Sequence, residues 1–173
     1  MNSNLGLLDS YNIVPAIIPI DLATGANAGD YVCLKGYERC VIVVLMDAGT
    51  AGQDPIINLQ QATAVAGTGA KDLLFTDIAE KQGATALSAV GAWTLQTQTA
   101  ATSYTSATGG ENEQLIVIDI QAEMLDVANG FDCLALDIAD TGATAGKIGA
   151  ALYILGPARY GQARGSELSA IAD

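Results

Sequence analysis

The segment Val41–Met46 reads VIVVLM and is followed by the glycine-rich segment Asp47–Asp54, DAGTAGQD. Most residues of the first segment are β-branched, and β-branched side chains favour strands. The segment Leu115–Ile120, LIVIDI, has the same character. Because both runs are apolar at nearly every position, we expect two central strands of a sheet that are covered on both faces.

Around these runs the sequence predicts strands that have one face exposed to solvent. In Trp93–Gln98, WTLQTQ, the residues Trp93, Leu95 and Thr97 point to one face and alternate with polar residues on the other. We therefore expect Trp93 to pack in the core. The period of two predicts strands at Ile13–Asp21, Tyr31–Leu34, Val41–Met46, Ile56–Gln61, Leu73–Ala79, Trp93–Gln98, Leu115–Gln121, Cys133–Ile138 and Gly149–Leu155.

Glycine-rich turns separate the predicted strands, and no long helical period is present. This pattern predicts an all-β fold, namely an antiparallel, jelly-roll-like β-sandwich of about eight or nine short strands with glycine-rich loops and extended terminal arms. One short helical turn is predicted at Ala122–Val127, before the turn pair Asn129–Gly130.

The ends of the chain are predicted to flank a single domain. We divide the sequence into an N-terminal arm at residues 1–12, a sandwich domain at residues 13–156 and a C-terminal tail at residues 157–173. Pro15 and Pro19 lie within the first predicted strand. Because proline donates no hydrogen bond to a ladder, this strand belongs at a sheet edge or in an extended arm.

The composition argues against several functional classes. The 173 residues include 7 Lys and Arg, 19 Asp and Glu and no histidine, for a formal net charge of −12. Nucleic acids and anionic membranes attract basic surfaces, so neither is an expected partner. The lack of histidine removes Ser-His and Cys-His nucleophile pairs and the usual zinc ligand. We expect neither a signal peptide nor a membrane span, because the N-terminal segment lacks a basic region and no apolar run is long enough.

The three cysteines, Cys33, Cys40 and Cys133, each lie within an apolar run. Their number is odd and no C-x-x-C spacing occurs, which argues against a zinc knuckle and a disulfide framework. We expect buried, reduced thiols in a protein made in a reducing cytoplasm.

Two loop motifs resemble ligand sites but depart from them. Gly142–Lys147, GATAGK, is one residue short of a phosphate-binding loop, and Ile148 stands where that loop needs a hydroxyl residue, so we predict a hairpin loop. Asp137, Asp140 and Thr141 supply too few oxygen ligands for a calcium site.

Paired carboxylates, such as Asp119 with Glu123 or Asp126 with Asp132, are what a glycosidase requires. The aromatic residues that line sugar clefts are scarce here, with one Trp, six Tyr and two Phe. We expect no enzymatic activity, no cofactor and no metal.

Four stretches, taken in order, resemble small head proteins of tailed bacteriophages, among them capsid decoration (cement) proteins. They are Tyr37–Met46 (YERCVIVVLM), Asn58–Phe75 (NLQQATAVAGTGAKDLLF), Ala122–Leu136 (AEMLDVANGFDCLAL) and Tyr153–Tyr160 (YILGPARY). The resemblance spans about residues 10–165. It implies a jelly-roll-like β-sandwich that binds the outside of the major capsid protein shell, usually as a homo-oligomer.

From this resemblance we expect a structural virion protein on the capsid exterior, made in the host cytoplasm, that stabilises contacts between major capsid protein subunits. A trimer is the first expectation for its oligomeric state and a dimer the second. The alternative is a carbohydrate- or receptor-binding β-module of a phage head fibre or adhesin. That function requires an exposed aromatic platform or a calcium site.

The terminal segments are the expected contacts with the partner, because exposed arms reach neighbours and because Arg and Tyr are favoured at interfaces. The residues are Leu7, Leu8, Tyr11, Arg159, Tyr160 and Arg164. Two alternatives stay open: the leucines pack on their own sandwich, or Arg–carboxylate pairs hold the tail on its own domain.

Overall fold

The computed structural model describes residues 7, 10–83, 89–106, 112–142 and 146–159. Two three-residue 3₁₀ helices follow β10, at Ala122–Met124 and Val127–Asn129, and no helix in the described ranges is long and apolar enough to cross a membrane. The strands are β1 (Asn12–Asp21), β2 (Asn27–Ala28), β3 (Val32–Cys33), β4 (Arg39–Met46), β5 (Ile56–Ala62), β6 (Lys71–Asp72), β7 (Phe75–Gln82), β8 (Trp93–Ala101), β9 (Ser103–Thr105), β10 (Gln114–Gln121), β11 (Cys133–Ile138) and β12 (Ile148–Leu155).

The strands form two antiparallel sheets in jelly-roll order. Sheet A runs β1-β12-β4-β10-β7-β8, and sheet B runs β2-β11-β5-β6, with β3 beside β11 and β9 beside β5. Eight of these strands (β1, β2, β4, β5, β6, β10, β11 and β12), renumbered along the chain, give the orders 1-8-3-6 and 2-7-4-5 of a jelly roll. The hairpin β7–β8 widens sheet A. The predicted antiparallel β-sandwich is confirmed.

The inner faces of the two sheets enclose the main hydrophobic core. Val44 and Ile118 of sheet A and Leu59 and Leu136 of sheet B are fully buried in one cluster. The hydroxyl of Tyr153 on β12 accepts a 2.8 Å hydrogen bond from the backbone N–H of Leu136 on β11. One buried side chain therefore joins the two sheets, and its burial raises the pKa of Tyr153.

The turn between β2 and β3 packs closely against this hydroxyl. The backbone N–H of Gly29 donates a 2.7 Å hydrogen bond to the carbonyl oxygen of Leu136. A Cβ atom at position 29 would lie 3.0 Å from the Tyr153 hydroxyl oxygen and 3.0 Å from the Ala16 carbonyl oxygen. The turn can approach the core this closely because residue 29 is glycine.

The observed strands agree with the predicted ones to within three residues at each end. β1 pairs only with β12 and forms an edge of sheet A, as Pro15 and Pro19 predict, and its register is irregular between Pro15 and Ile20. The short strands β2, β6 and β9 were not predicted, because two or three residues are too few for an alternating pattern. The predicted helical turn is a pair of 3₁₀ helices, and Gly130 ends the second with a φ of 83°.

The expectation that Trp93 packs in the core is wrong. Trp93 is 51% exposed on β8, the edge strand of sheet A, and Nζ of Lys81 lies 5.7 Å from the centroid of its ring. The alternation predicts correctly that Trp93 and Leu95 share a face, but it does not determine which face of the sheet that is.

The central strands β4 and β10 lie in the middle of sheet A, as predicted, but the expectation that both of their faces are covered is wrong. Sheet B covers the inner face. On the outer face Leu45 is 59% exposed, and Val43 and Val117 are half-buried between their neighbours. The sequence therefore has two-sided apolar strands, of which the described chain covers only one side.

Candidate docking surface

The outer face of sheet A carries an apolar row that crosses all six strands. The register aligns, from β1 to β8, Pro15, Leu152, Val43, Val117, Ala79 and Leu95. Residues two positions away along each strand form parallel rows on the same face. These rows contain Ala150, Leu45, Leu115, Lys81 and Trp93 on one side, and Ile13, Ile154, Val41, Asp119, Asp77 and Thr97 on the other. We call the surface made by the three rows the apolar face.

Large side chains on the apolar face are open to solvent. Leu95 is 69% exposed and Leu152 is 42% exposed. At one end of the face, Pro19, Leu45 and Ile148 contribute to an open groove of about 430 Å³. Contiguous apolar surface larger than a few hundred Å² marks interaction sites on soluble proteins. The apolar face therefore has the character of a docking surface.

The apolar face carries little charge. The charged members of the three rows are Lys81, Asp77 and Asp119, with a formal sum of −1. The carboxylate of Asp119 accepts a 2.8 Å hydrogen bond from the Arg39 guanidinium, and Lys81 lies over the ring of Trp93. Most of the net charge of −12 therefore comes from other parts of the chain.

The outer face of sheet B, which we call the polar face, has a different composition. Asn58 on β5 lies opposite Asp137 on β11, and its side-chain amide donates to the Asp137 carboxylate at 3.1 Å. The hydroxyl of Tyr31 donates to the side-chain carbonyl of Gln60 at 2.9 Å. Polar groups on this face thus bond to one another within the chain.

A buried polar cluster links β7, β9 and β10. Glu80 is buried, and its carboxylate accepts hydrogen bonds from the Tyr104 hydroxyl at 2.8 Å, the side-chain amides of Gln82 and Gln114 at 3.1 Å and the Ser106 hydroxyl. Burial and the neighbouring Glu80 carboxylate raise the pKa of Tyr104. All four donors are neutral side chains, so we interpret the cluster as structural.

The N-terminal residues that the sequence predicts as partner contacts differ in their exposure to solvent. Leu7 is half exposed, whereas Tyr11 is half-buried on its own domain. A Cβ atom at Gly156 would lie 2.7 Å from Cδ1 of Tyr11, so the aromatic ring contacts the end of β12. Leu8 lies outside the described residues.

At the other end, the start of the tail is bonded to the domain. The Nε of Arg159 donates to the carbonyl oxygen of Tyr37 at 2.8 Å, and the backbone N–H of Arg159 donates to Gly36 at 2.9 Å. The link uses carbonyl oxygens rather than the carboxylates that were considered. Tyr160 and Arg164 lie outside the described residues. A role of these terminal residues in partner contacts stays a prediction.

The glycine-rich segment 142–147 is not a hairpin loop, because it connects β11 in sheet B with β12 in sheet A. Lys147 is fully buried, and its Nζ donates to the carbonyl oxygen of Asp47 at 3.0 Å. Burial lowers the pKa of Lys147. The lysine of this segment therefore stabilises the connection between the sheets and is turned away from solvent.

Three of the candidate acidic residues, Asp119, Asp126 and Asp140, are bonded to other groups of the chain. Asp126 accepts a 2.5 Å hydrogen bond from Nζ of Lys71, and this contact holds the pKa of Asp126 below its ordinary value. Asp119 pairs with Arg39, and Asp140 accepts from the backbone N–H of Gly142 at 2.8 Å.

All three cysteines are buried and free, which confirms the prediction of buried thiols. The sequence did not predict that two of them meet. Cys33 on β3 lies directly opposite Cys133 on β11, with the carboxylate of Asp132 beside them. A hundred residues separate the two cysteines, and only the pairing of β3 with β11 brings them together.

A scan against protein-family models finds no match to this chain. Searches of curated proteins and of solved structures find no match either.

Proposed function

We propose that the protein is a structural virion protein that decorates the outside of a bacteriophage capsid and docks through its apolar face. The observation that carries the proposal is the apolar row that runs from Pro15 on β1 to Leu95 on β8. The resemblance to phage head proteins supplies the partner, which is the major capsid protein. The apolar face supplies the contact that the resemblance leaves unspecified.

The dimensions of the apolar face suit the centre of a protein interface. Six strands spaced about 4.8 Å apart extend over about 24 Å, and three rows separated by about 6.8 Å add about 14 Å in the other direction. Leucine, isoleucine and valine dominate the face, and each Å² of apolar surface that leaves water contributes about 25 cal/mol. A flat surface of this kind, with few charged side chains, fits an apolar area on the shell.

The rest of the molecule suits repeated binding on a lattice. A net charge of −12 opposes non-specific association of free copies in solution. The two-sheet core, joined through Tyr153 and Leu136, holds the apolar face rigid before binding. Because many copies bind one shell, each copy needs only a modest free energy of binding. A capsid subunit that contacts two decorated neighbours is held by several contacts at once, which is multivalent binding.

The second candidate function is carbohydrate or receptor binding, and the exposure of Trp93 favours it. An exposed indole provides the aromatic platform that sugar binding requires. Binding to a glycan array that is lost in Trp93→Ala and retained in Leu152→Ala would support this alternative. If no glycan binds the intact chain, the alternative fails.

The decoration proposal is tested with emptied, expanded heads of the source phage. We expect the full chain to bind these heads and to raise their melting temperature. Leu45→Lys and Leu95→Lys are expected to weaken binding about tenfold or more, because each places a charge inside a dry interface. Ile56→Lys is the matched control, because Ile56 is an exposed isoleucine on the strand β5 of the polar face.

The binding results test the docking surface and the decoration function separately. Loss of binding in both leucine variants with retention in Ile56→Lys supports the apolar face as the docking surface. Equal binding by all three variants contradicts it. Failure of the unmodified chain to bind any heads contradicts the decoration function itself.

A further inference from the structure

The pairing of β3 with β11 sets two cysteines against each other on the outer side of sheet B. The register places Cys33 opposite Cys133, while Val32 and Leu134 on the other side of these strands enter the main core. The backbone N–H of Leu34 donates to the carbonyl oxygen of Asp132 at 2.7 Å. This bond makes Cys33 and Cys133 a non-hydrogen-bonded pair, the arrangement in which opposite side chains approach most closely.

A carboxylate completes a group of three ligand atoms. The two sulfur atoms and a carboxylate oxygen of Asp132 all lie within 4.8 Å of one another. Sγ of Cys133 lies 3.4 Å from Oδ1 of Asp132. Sulfur and oxygen ligands of one tetrahedral zinc ion lie about 3.5 Å apart, and two sulfur ligands about 3.8 Å apart. The three atoms are therefore close to the spacing that a single ion requires.

The three ligand atoms lie beside a small buried cluster that is separate from the main core. Cys33, Cys133 and Ala62 form a second buried cluster, against which Tyr31 and Val65 pack. A Cβ atom at Gly67 would lie 3.0 Å from the ring of Tyr31, so the turn after β5 closes over the tyrosine. Asp132 at the edge of this cluster is half-buried, so its side chain is partly accessible to solvent.

We propose that Cys33, Cys133 and Asp132 bind one Zn²⁺ ion, a function beyond the proposed docking on a capsid. Two sulfur ligands and one carboxylate favour zinc over the hard cations Mg²⁺ and Ca²⁺, which take oxygen ligands. On binding, each thiol loses its proton to solvent, and the two sulfurs and the Asp132 carboxylate oxygen replace water ligands of the hydrated ion, while one remaining water molecule completes the tetrahedral shell. No oxidation or reduction is involved.

The ion would tie two segments of the polar side together. It would bond β3 to β11 through the two cysteines and fix Asp132, the residue that precedes β11. Since β3 has only two residues, zinc would add a strong link where the ladder is short. The site lies on sheet B, so its occupancy is independent of contacts made by the apolar face.

The test is zinc binding to the full-length chain in the presence of a non-thiol reductant. We expect one tightly bound Zn²⁺ per chain and a rise in melting temperature on zinc addition. Co²⁺ is the second probe, because its thiolate complexes have charge-transfer absorption that carboxylate complexes lack. Cys33→Ala and Cys133→Ala are expected to abolish both signals, and Asp132→Asn to weaken zinc binding at least about tenfold.

Cys40→Ala is the matched control, because Cys40 is a fully buried free cysteine in the main core, away from this group. The proposal holds if Cys40→Ala retains the cobalt–thiolate absorption that Cys33→Ala loses. It is overturned if the unmodified chain shows no thiolate absorption, or if zinc binds equally to the Cys33→Ala and Cys40→Ala chains. Formation of a Cys33–Cys133 disulfide without zinc uptake by the reduced chain also overturns it.

Discussion

The apolar face and the polar face belong to two sheets of one jelly roll, yet they differ in how their side chains are satisfied. On the polar face Asn58 bonds to Asp137 and Tyr31 bonds to Gln60, so the polar groups find partners within the chain. On the apolar face Leu45 and Leu95 remain exposed to solvent. The two faces therefore differ in how far contacts within the described chain satisfy their side chains, and our proposal assigns the docking to the apolar face.

The largest effect is expected from a change on the inner side of the sheet that carries the apolar face. Ile118 on β10 is fully buried, whereas its neighbour Val117 points outward. We expect Ile118→Ala to lower the free energy of unfolding by about 2–5 kcal/mol, because it leaves a cavity in the core. Val117→Ala is expected to cost less than about 1 kcal/mol. Urea denaturation measures both, and equal costs would mean that the chain itself covers the apolar face.

The bond between the two sheets is expected to have the next largest effect. Tyr153→Phe leaves the backbone N–H of Leu136 without its acceptor in the core, which costs about 1–3 kcal/mol in the free energy of unfolding. Denaturation at neutral pH measures this loss. A cost indistinguishable from zero would show that the hydroxyl does not join the sheets.

Tyr153→Phe is also expected to change how the free energy of unfolding depends on pH. Burial raises the pKa of Tyr153 above its ordinary value of 10.0, so only the unfolded chain releases the phenol proton just above that pH. The contribution of Tyr153 to stability is present below pH 10 and is lost as the pH rises, by up to about 1.4 kcal/mol per pH unit. Tyr153→Phe should therefore flatten the alkaline fall in stability. An unchanged slope would contradict the assignment.

A smaller effect on stability is expected for lysine on the apolar face. Leu45→Lys and Leu95→Lys should change the free energy of unfolding by no more than about 0.5 kcal/mol, since both side chains already face solvent. They should reduce the binding of a hydrophobic fluorescent dye to the folded protein. Ile56→Lys on the polar face should leave most of the dye signal. Equal dye signals from all three variants would remove the distinction between the faces.

The smallest effect is expected for the exposed ion pairs. Lys71 on β6 pairs with Asp126, and Arg39 on β4 pairs with Asp119, with the side chains of all four residues roughly a third or more exposed. Solvent screens such pairs, so Lys71→Met and Arg39→Met should barely move the melting temperature. A more sensitive readout is an NMR titration, in which Lys71→Met should raise the pKa of Asp126 towards its ordinary value of 3.8. An unchanged titration would contradict the contact.

The sequence predicts the architecture well and the surfaces poorly, for physical reasons. A period of two identifies strands, and Pro15 and Pro19 place β1 at an edge, since both signals are local. Trp93 was assigned to the core because an apolar residue in an alternating strand is usually buried. Alternation indicates which residues share a face of the strand. Whether that face lies in the core depends on how the two sheets pack.

The cysteine site depends on information that is not local. Cys33 and Cys133 meet because β3 and β11 pair in one particular register, and a strand of two residues gives no sequence signal of its partner. The apolar face could have been anticipated from VIVVLM and LIVIDI. Strands that are apolar on both faces need a packed layer against each face, and a single sandwich provides one such layer.

A density map of emptied, expanded heads reconstituted with the full chain tests the central proposal most directly. We predict that Leu45, Leu95 and Leu152 on the apolar face lie against the major capsid protein, while Asn58 and Gln60 on the polar face remain in solvent. The reverse orientation, or a bound chain whose apolar face is open to solvent, would contradict the proposal.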